Sequence, residues 1–337
     1  MGHDGGGADH PGARIALRCR ASAAVTNVER ATDFPASVRL RLLELAQDLP
    51  STLRPAVVPL VQRPGKGIRA ALVAAAAAGS AARRSELVRL GAIVELLHLA
   101  SLVHDDVVDR AATRRGLPSA HERVGSDVAL LAGTACVALV GQEAADLGPV
   151  TATAVGRCTA SLALGQMMDV ERAYDTELDA RAYVTMVVKK TSELFVLSCV
   201  LGAGSGDRDS SFVTAVAAFA TEIGVCFQIQ DDCKDFLPAG SGKPAGTDHK
   251  LGLYGLPTLH ALRVRPAELK PLLLAPEIDE TAVRRIRELV VASGGLDYAI
   301  GEARRHRELA FEALRPFEHE AAGQRLREVT EAVWTFS

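Results

Sequence analysis

The chain has 337 residues, 48% of them hydrophobic but only 4% aromatic, and a formal net charge of −3. Its six cysteines, Cys19, Cys136, Cys158, Cys199, Cys226 and Cys233, include no Cys-x-x-Cys pair, and the small charge offers no footprint for nucleic acid. A disulfide-stapled secreted scaffold, a zinc ribbon and a nucleic-acid binder are thereby excluded, and the Ala-, Leu- and Val-rich apolar set favours helices over β-structure.

Residues 1 to about 13, with Gly5-Gly6-Gly7 and Pro11-Gly12, read as a disordered leader, which is taken to extend to residue 30. Helical periodicity begins near Pro35, so one all-α domain, a helical bundle, is expected over 31–337. The pattern predicts helices at 36–48, 67–79, 84–108, 119–146, 150–171, 179–203, 209–236, 256–264, 279–292, 294–313 and 318–335. Breaks are expected at Pro64-Gly65, at Arg115-Gly116-Leu117-Pro118, between Gly202 and Gly206, and between Pro238 and Gly246. The longest apolar run, Val128 to Val140, is interrupted by Gly133 and Thr134 and falls short of the ~18 residues of a membrane span. With no secretory signal, the cysteines read as small core residues in a reducing cytosol, so the expected location is cytoplasmic.

Two helices carry acids where core residues should be. Leu90, Val94, Leu97 and Ser101 recur at helical spacing, and the stripe continues onto Asp105 and Asp109, with Asp106 alongside. Val216, Ala220, Ile223 and Phe227 lead in the same way to Asp231 and Asp235, with Asp232 beside them. One such run is often a solvated helix end. Two, each terminating an apolar stripe, require a positive partner, because stripping water from a carboxylate costs several kcal/mol. Carboxylates without nearby thiols or metal-spaced histidines point to a hard cation, and magnesium is usually held by a few carboxylates with waters and phosphates. Two such clusters across a cleft would grip a diphosphate.

Candidate cations accompany them. Lys66 and Arg69 stand at a helix start, where the backbone already favours anions. Arg114-Arg115-Gly116 follows the first acidic cluster, Lys190-Thr191 lies on an apolar helix, and Lys243 follows the second cluster. His98, taken alone, reads as a structural histidine.

In order, the chain presents Gly65-Lys66-Gly67-Ile68-Arg69, Glu95-Leu96-Leu97-His98 through Leu102-Val103-His104-Asp105-Asp106-Val107-Val108-Asp109, and Arg114-Arg115-Gly116-Leu117-Pro118. Gly165-Gln166, Lys190-Thr191, Phe227-Gln228-Ile229-Gln230-Asp231-Asp232-Cys233-Lys234-Asp235, Gly242-Lys243-Pro244 and Gly246-Thr247-Asp248 follow. Across about residues 60–265 this closely resembles the trans-isoprenyl diphosphate synthase (polyprenyl synthetase) family, whose paired aspartate motifs are highly specific. The resemblance implies an all-α prenyltransferase fold with a central cavity, a homodimer, and condensation of isopentenyl diphosphate with an allylic diphosphate. It implies Mg2+, three ions with the diphosphate, on Asp105, Asp106, Asp109, Asp231, Asp232 and Asp235. Arg114, Lys190 and Lys243 would contact the allylic diphosphate, and Lys66, Arg69, His98 and Arg115 that of isopentenyl diphosphate. Thr191 and Gln228 would line the site of the allylic cation, with Phe227 nearby.

The chain departs from the family pattern at Gly67, at Thr134 where aspartate is usual, at Leu253 where lysine is common, and at Gly255 where threonine is usual. Lys250 is the expected substitute for the missing lysine. Ala100 and Ser101, one turn before Asp105, are small, and a turn rises ~5.4 Å, close to one isoprene unit, so a product of about twenty carbons or more is expected. Leu97 lies a turn deeper. Two other readings share the motifs: a terpene cyclase of the same fold, and a non-catalytic subunit of a heteromeric synthase. A cyclase usually mixes Asn, Ser and Glu in its second metal site, whereas here it reads Asp231-Asp232-x-x-Asp235, and such subunits typically lose acidic or cationic positions that this chain keeps.

Overall fold

The computed structural model describes residues 34–63, 65–236, 247–334 and 336; the leader and Lys243 lie outside them. The described residues begin with four helices: α1 (Phe34–Gln47), α2 (Arg54–Gln62), α3 (Ile68–Ala76) and α4 (Arg84–Val108). A short hairpin, β1 (Thr113–Arg114) and β2 (Leu117–Pro118), leads to α5 (Ala120–Val124), α6 (Ser126–Leu147) and α7 (Pro149–Glu171). Then come α8 (Ala180–Val187), a π-helical turn (Val188–Ser192), α9 (Glu193–Gly204) and α10 (Ser210–Lys234). The remainder is α11 (Thr247–Lys250), α12 (Leu256–Val264), α13 (Pro266–Leu273), α14 (Glu280–Ala292), α15 (Gly295–Leu314), a 3-10 turn (Arg315–Phe317) and α16 (Ala321–Val333).

Most predicted helices are present, and the differences have local causes. Helices α2 and α13 stand where none is predicted. Each starts with proline in its first turn, where no hydrogen bond is lost, and carries a second proline inside, Pro59 or Pro271. Burial of Val57, Leu60 and Val61 offsets the interior proline of α2. The predicted helix 119–146 divides at Gly125, whose φ of +82° ends the first segment. The expected break after Arg114 is a two-residue hairpin with Arg115 and Gly116 at φ +53° and +72°, the left-handed pair that a tight hairpin turn requires.

Helix α4 runs through the bundle against α1, α3, α6 and α9. It therefore buries Leu90, Ile93, Val94, Leu96, Leu97, Leu99, Ala100 and Val103 around most of its circumference. Helix α10 packs against α9, α15 and the π turn, bringing the C-terminal ends of both acid-bearing helices to one cavity. Against the sequence expectation, α4, α6 and α10 are each long and apolar enough to cross a membrane by length and composition, because occasional polar residues do not lower the average enough. In α4 that surface is largely spent on the core, with 61% of the window buried, whereas α6 buries only 39%. The outer side of α6 is left apolar and uncovered.

Candidate active site

A cavity of about 720 Å3 is bounded by α4, α6, α7, α8, the π turn, α10 and the segment 248–255. Asp105 and Asp109 enter it from α4, and Asp231 and Asp232 from α10. Asp106, expected among the ligands, does not reach the wall: it is fully buried, and its Oδ1 accepts from Arg114 Nε at 2.8 Å and Nη2 at 2.5 Å. A residue next to Asp105 on a helix points about 100° away from it, so only the i and i+4 acids share the cavity face. Asp235, the C-cap of α10, also lies off the wall.

Two further acids line the cavity, Asp169 and Asp248. The signal for Asp169 was present: the buried stripe Val155, Cys158, Gly165 of α7 continues onto it, repeating the pattern that marked the other two helices. Burial pushes Asp105 up to about 6; Lys190 opposes the rise and Asp109 adds to it. Burial likewise raises Asp109, and carries Asp232 to about 7 despite hydrogen bonds from Tyr183 and Gln228. These carboxylates are short of positive charge. Among the described residues no three acidic, imidazole or thiol side chains converge closely enough to hold a metal by themselves. An all-oxygen set of dispersed, hard-to-ionise carboxylates suits magnesium, which completes its shell with waters and phosphate oxygens.

Lys190 owes its place to the π turn. A Cβ on Gly165 of α7 would lie 2.4 Å from the Lys190 nitrogen, and one on Gly224 of α10 would lie 2.4 Å from the Ser192 Cα. The two glycines let both helices close onto the widened backbone, a distortion common at functional sites. Lys190 Nζ ion-pairs with Asp169; burial opposes its charge, but Asp169, Asp105 and Asp109 more than compensate and raise it. Thr191 Oγ1 donates to Gln228 Oε1 at 2.9 Å, and Gln228 Nε2 donates to Asp232 Oδ1 at 2.9 Å. Tyr183 OH donates to Asp232 Oδ2 at 2.5 Å, completing a chain that fixes the two oxygens expected near an allylic cation.

Arg69 and His98 also line the cavity, while Arg115 and the exposed Lys66 are not on its wall. Arg115 Nη1 donates to the carbonyls of Leu60 at 3.1 Å and Arg63 at 3.0 Å, and its guanidinium lies against Gly65. Glu95 Oε1 accepts the Ala70 N–H at 3.1 Å, tying the start of α3 to α4. Burial holds His98 far below its ordinary value, and the charges of Arg69, Arg115 and Arg114 push the same way, so the ring is neutral. Burial also pulls Arg69 down to about 10, which leaves it charged near neutral pH, and its Nε lacks a partner, as does Gln166 Oε1 on the same wall. Such orphaned buried groups fit a polar ligand.

The apolar wall comprises Leu97, Ser101, Leu102, Val137, Leu162 and Phe227. Ala100 is not on it: at 1% exposure it faces the packed core, one helical step round from Ser101. The departures from the family pattern also find places. Gly67 caps α3 at φ +63°, a conformation a bulkier residue would resist. Thr134 is exposed and bonds its own helix, away from the cavity. At Gly255, a Cβ would meet Asp232 Oδ2 at 2.5 Å, so the missing side chain makes room for the carboxylate, which accepts Leu256 N–H at 3.3 Å. Leu253 is on the wall, but Lys250 lines a separate surface groove with Arg284 and Arg287 and does not replace the absent lysine there.

Two acid-bearing helices and a cationic wall thus share one cavity. The sequence pattern of the family described as Polyprenyl synthetase matches residues 50–291. The chain belongs to the polyprenyl synthetase family. It is 35% identical over 243 residues to a probable mitochondrial hexaprenyl pyrophosphate synthase of Neurospora crassa, covering 68% of this chain and 53% of that one. To the geranylgeranyl diphosphate synthase of Mycobacterium tuberculosis it is 35% identical over 242 residues, covering 68% and 69%. A polyprenyl synthase from Caulobacter crescentus, complexed with calcium and isoprenyl diphosphate, superposes with a TM-score of 0.82 at 28% identity over 92% of this chain and 97% of that one. The chain spans only about half to two thirds of the length of several curated relatives in this polyprenyl synthetase group.

Proposed function

We propose that the chain is a magnesium-dependent prenyltransferase that extends an allylic diphosphate with isopentenyl diphosphate. The observation that carries this reading is the meeting of Asp105, Asp109 and Asp231 with Lys190, Arg69 and His98 around a cavity that continues as an apolar wall. Asp105, Asp109 and Asp231 would hold Mg2+, which supplies charge neutralisation to the departing diphosphate. Lys190 and Arg114 stabilise the same charge, and Asp106 acts by holding Arg114 in place. Arg69, with Arg115 behind it, receives the second diphosphate, and neutral His98 can still donate a hydrogen bond to it. The Thr191 and Gln228 oxygens face the allylic cation left when the C–O bond breaks, while Phe227 and Leu102 exclude water. The double bond of isopentenyl diphosphate attacks that cation, and the proton passes to the released diphosphate. The relatives' names span several chain lengths, and geranylgeranyl or longer is the product class the small Ser101 supports.

Purified protein incubated with Mg2+, labelled isopentenyl diphosphate and each allylic starter tests the reading. An extended diphosphate dependent on Mg2+ supports it; a hydrocarbon formed without isopentenyl diphosphate would instead identify a cyclase, and no turnover with any starter a non-catalytic subunit. Because Asp105 ionises only above about 6 in the metal-free site, Mg2+ with inorganic pyrophosphate should select its ionised form. Binding should therefore release more protons in wild type than in Asp105→Asn near pH 6, with the difference fading toward about pH 8. Calorimetry in two buffers of different ionisation enthalpy reads this directly.

A homodimer is proposed on separate grounds. Leu131, Thr134, Ala138, Gly141 and Ala145 on α6, and Thr153, Gly156, Ala160, Ala163 and Met167 on α7, are exposed at alternating three- and four-residue steps, with Ala163 and Met167 also bordering the cavity. Gly141 and Gly156 have open space where a Cβ would sit, and Leu131 and Met167 are 61% and 56% exposed. This is the pattern of helices that pack against helices. Ala138→Glu with Ala160→Glu is expected to halve the mass seen by light scattering after size exclusion. A wild-type protein that runs as a monomer would remove the proposal.

A further inference from the structure

The acidic end of the cavity carries one cation with no role yet assigned, Arg172. It follows the last residue of α7, its N–H donating to the Met168 carbonyl at 3.0 Å, and opens a tight turn to Asp175. Within that turn Tyr174 is held at φ +64°, a conformation that strains an aromatic residue. The strain persists because the turn is clipped to the opposite rim. Tyr174 N–H donates to the Gly252 carbonyl at 2.8 Å, and its hydroxyl donates to the Lys250 carbonyl at 3.0 Å. Its ring covers Gly252 so closely that a Cβ there would lie 2.6 Å from Tyr174 Cγ. The clip thus joins the end of α7, which carries Asp169 and Arg172, to the segment that carries Asp248 and Leu253.

Charge at this end is unbalanced. Asp105, Asp109, Asp169, Asp231, Asp232 and Asp248 share the wall with Lys190 and Arg114, which already engage Asp169 and Asp106, and Asp231 takes Lys234 Nζ at 2.7 Å, so the acids still outnumber the cations. Arg172 is 51% exposed and donates from Nη1 to Asp175 Oδ2 at 2.9 Å, and Asp175 lies off the cavity wall. A surface pair of this kind contributes little, so its arginine exchanges readily for a better acceptor. A diphosphate held among the acids presents such acceptors, and the planar guanidinium can meet two of their oxygens at once.

Resting on the prenyltransferase reading, we propose that Arg172 is a diphosphate-binding residue of this site, swinging from Asp175 to the Mg2+-bound diphosphate, with Tyr174 as the positioning residue for its turn. The test is calorimetric binding of inorganic pyrophosphate in the presence of Mg2+ to the full chain. Arg172→Ala should weaken binding about tenfold or more, with Arg172→Lys in between. In turnover, KM for the allylic diphosphate should rise by more than kcat falls. Asp175→Asn should tighten binding, because it removes the competing acceptor; a merely structural ion pair would make both variants weaker alike. Wild-type affinity in Arg172→Ala, or weakening in Asp175→Asn, overturns the proposal. Asp105→Asn serves as the separating control. If it too binds like wild type, the reading of the acids as the metal–diphosphate site fails, and the role of Arg172 fails with it.

Discussion

Asp105→Asn is expected to lower turnover by about a thousandfold while leaving the protein folded. The substitution keeps the shape of the side chain and removes the charge that a bridging cation needs, and loss of one such electrostatic contact in a low-dielectric site typically reduces rate by roughly two to three orders of magnitude. The fold should tolerate it because burial already disfavours the ionised form, holding the carboxyl at about 6. Asp231→Asn should behave alike, since it shares the cavity from the opposing helix. Asp106→Asn should differ in kind. It weakens the ion pair of a fully buried carboxylate with Arg114, so melting temperature should fall along with activity. Initial rates of isopentenyl incorporation beside thermal melts separate the cases. Turnover in Asp105→Asn within tenfold of wild type would remove the metal assignment.

Ser101→Phe is expected to shorten the product. Ser101 stands on the cavity wall one turn below Asp105, so a phenyl ring there projects into the path of the growing chain. Leu97→Phe, a further turn down, should stop growth about one isoprene unit later, since a helical turn rises ~5.4 Å. Ala100→Phe is the instructive contrast. Its side chain enters the core between α4 and its neighbours, where overpacking destabilises by ~1–3 kcal/mol, and it should leave the product length unchanged. Mass spectrometry of the dephosphorylated products reads all three; shortening by Ala100→Phe but not by Ser101→Phe would place the elongation path on the other side of α4.

Much of this was legible in one dimension because helix geometry is regular. A four-residue step returns to nearly the same face, so an apolar stripe ending in Asp105 and Asp109 already says that two carboxylates stand together at the border of a core. The same arithmetic on Val155, Cys158 and Gly165 reaches Asp169. Sequence alone thus determined an all-helical chain with acids at two helix ends and a neighbouring supply of cations. What it could not determine was direction within a turn and contact between distant segments. Asp106 and Ala100 are separated from cavity-facing neighbours by a single residue, and only packed helices decide which of the two looks inward. The Tyr174 clip onto Gly252, the closing of Gly165 and Gly224 on the π turn, and the placing of Lys250 outside the cavity each join residues far apart along the chain. Such contacts depend on how close two backbones come, a property of the assembled bundle that no local periodicity carries.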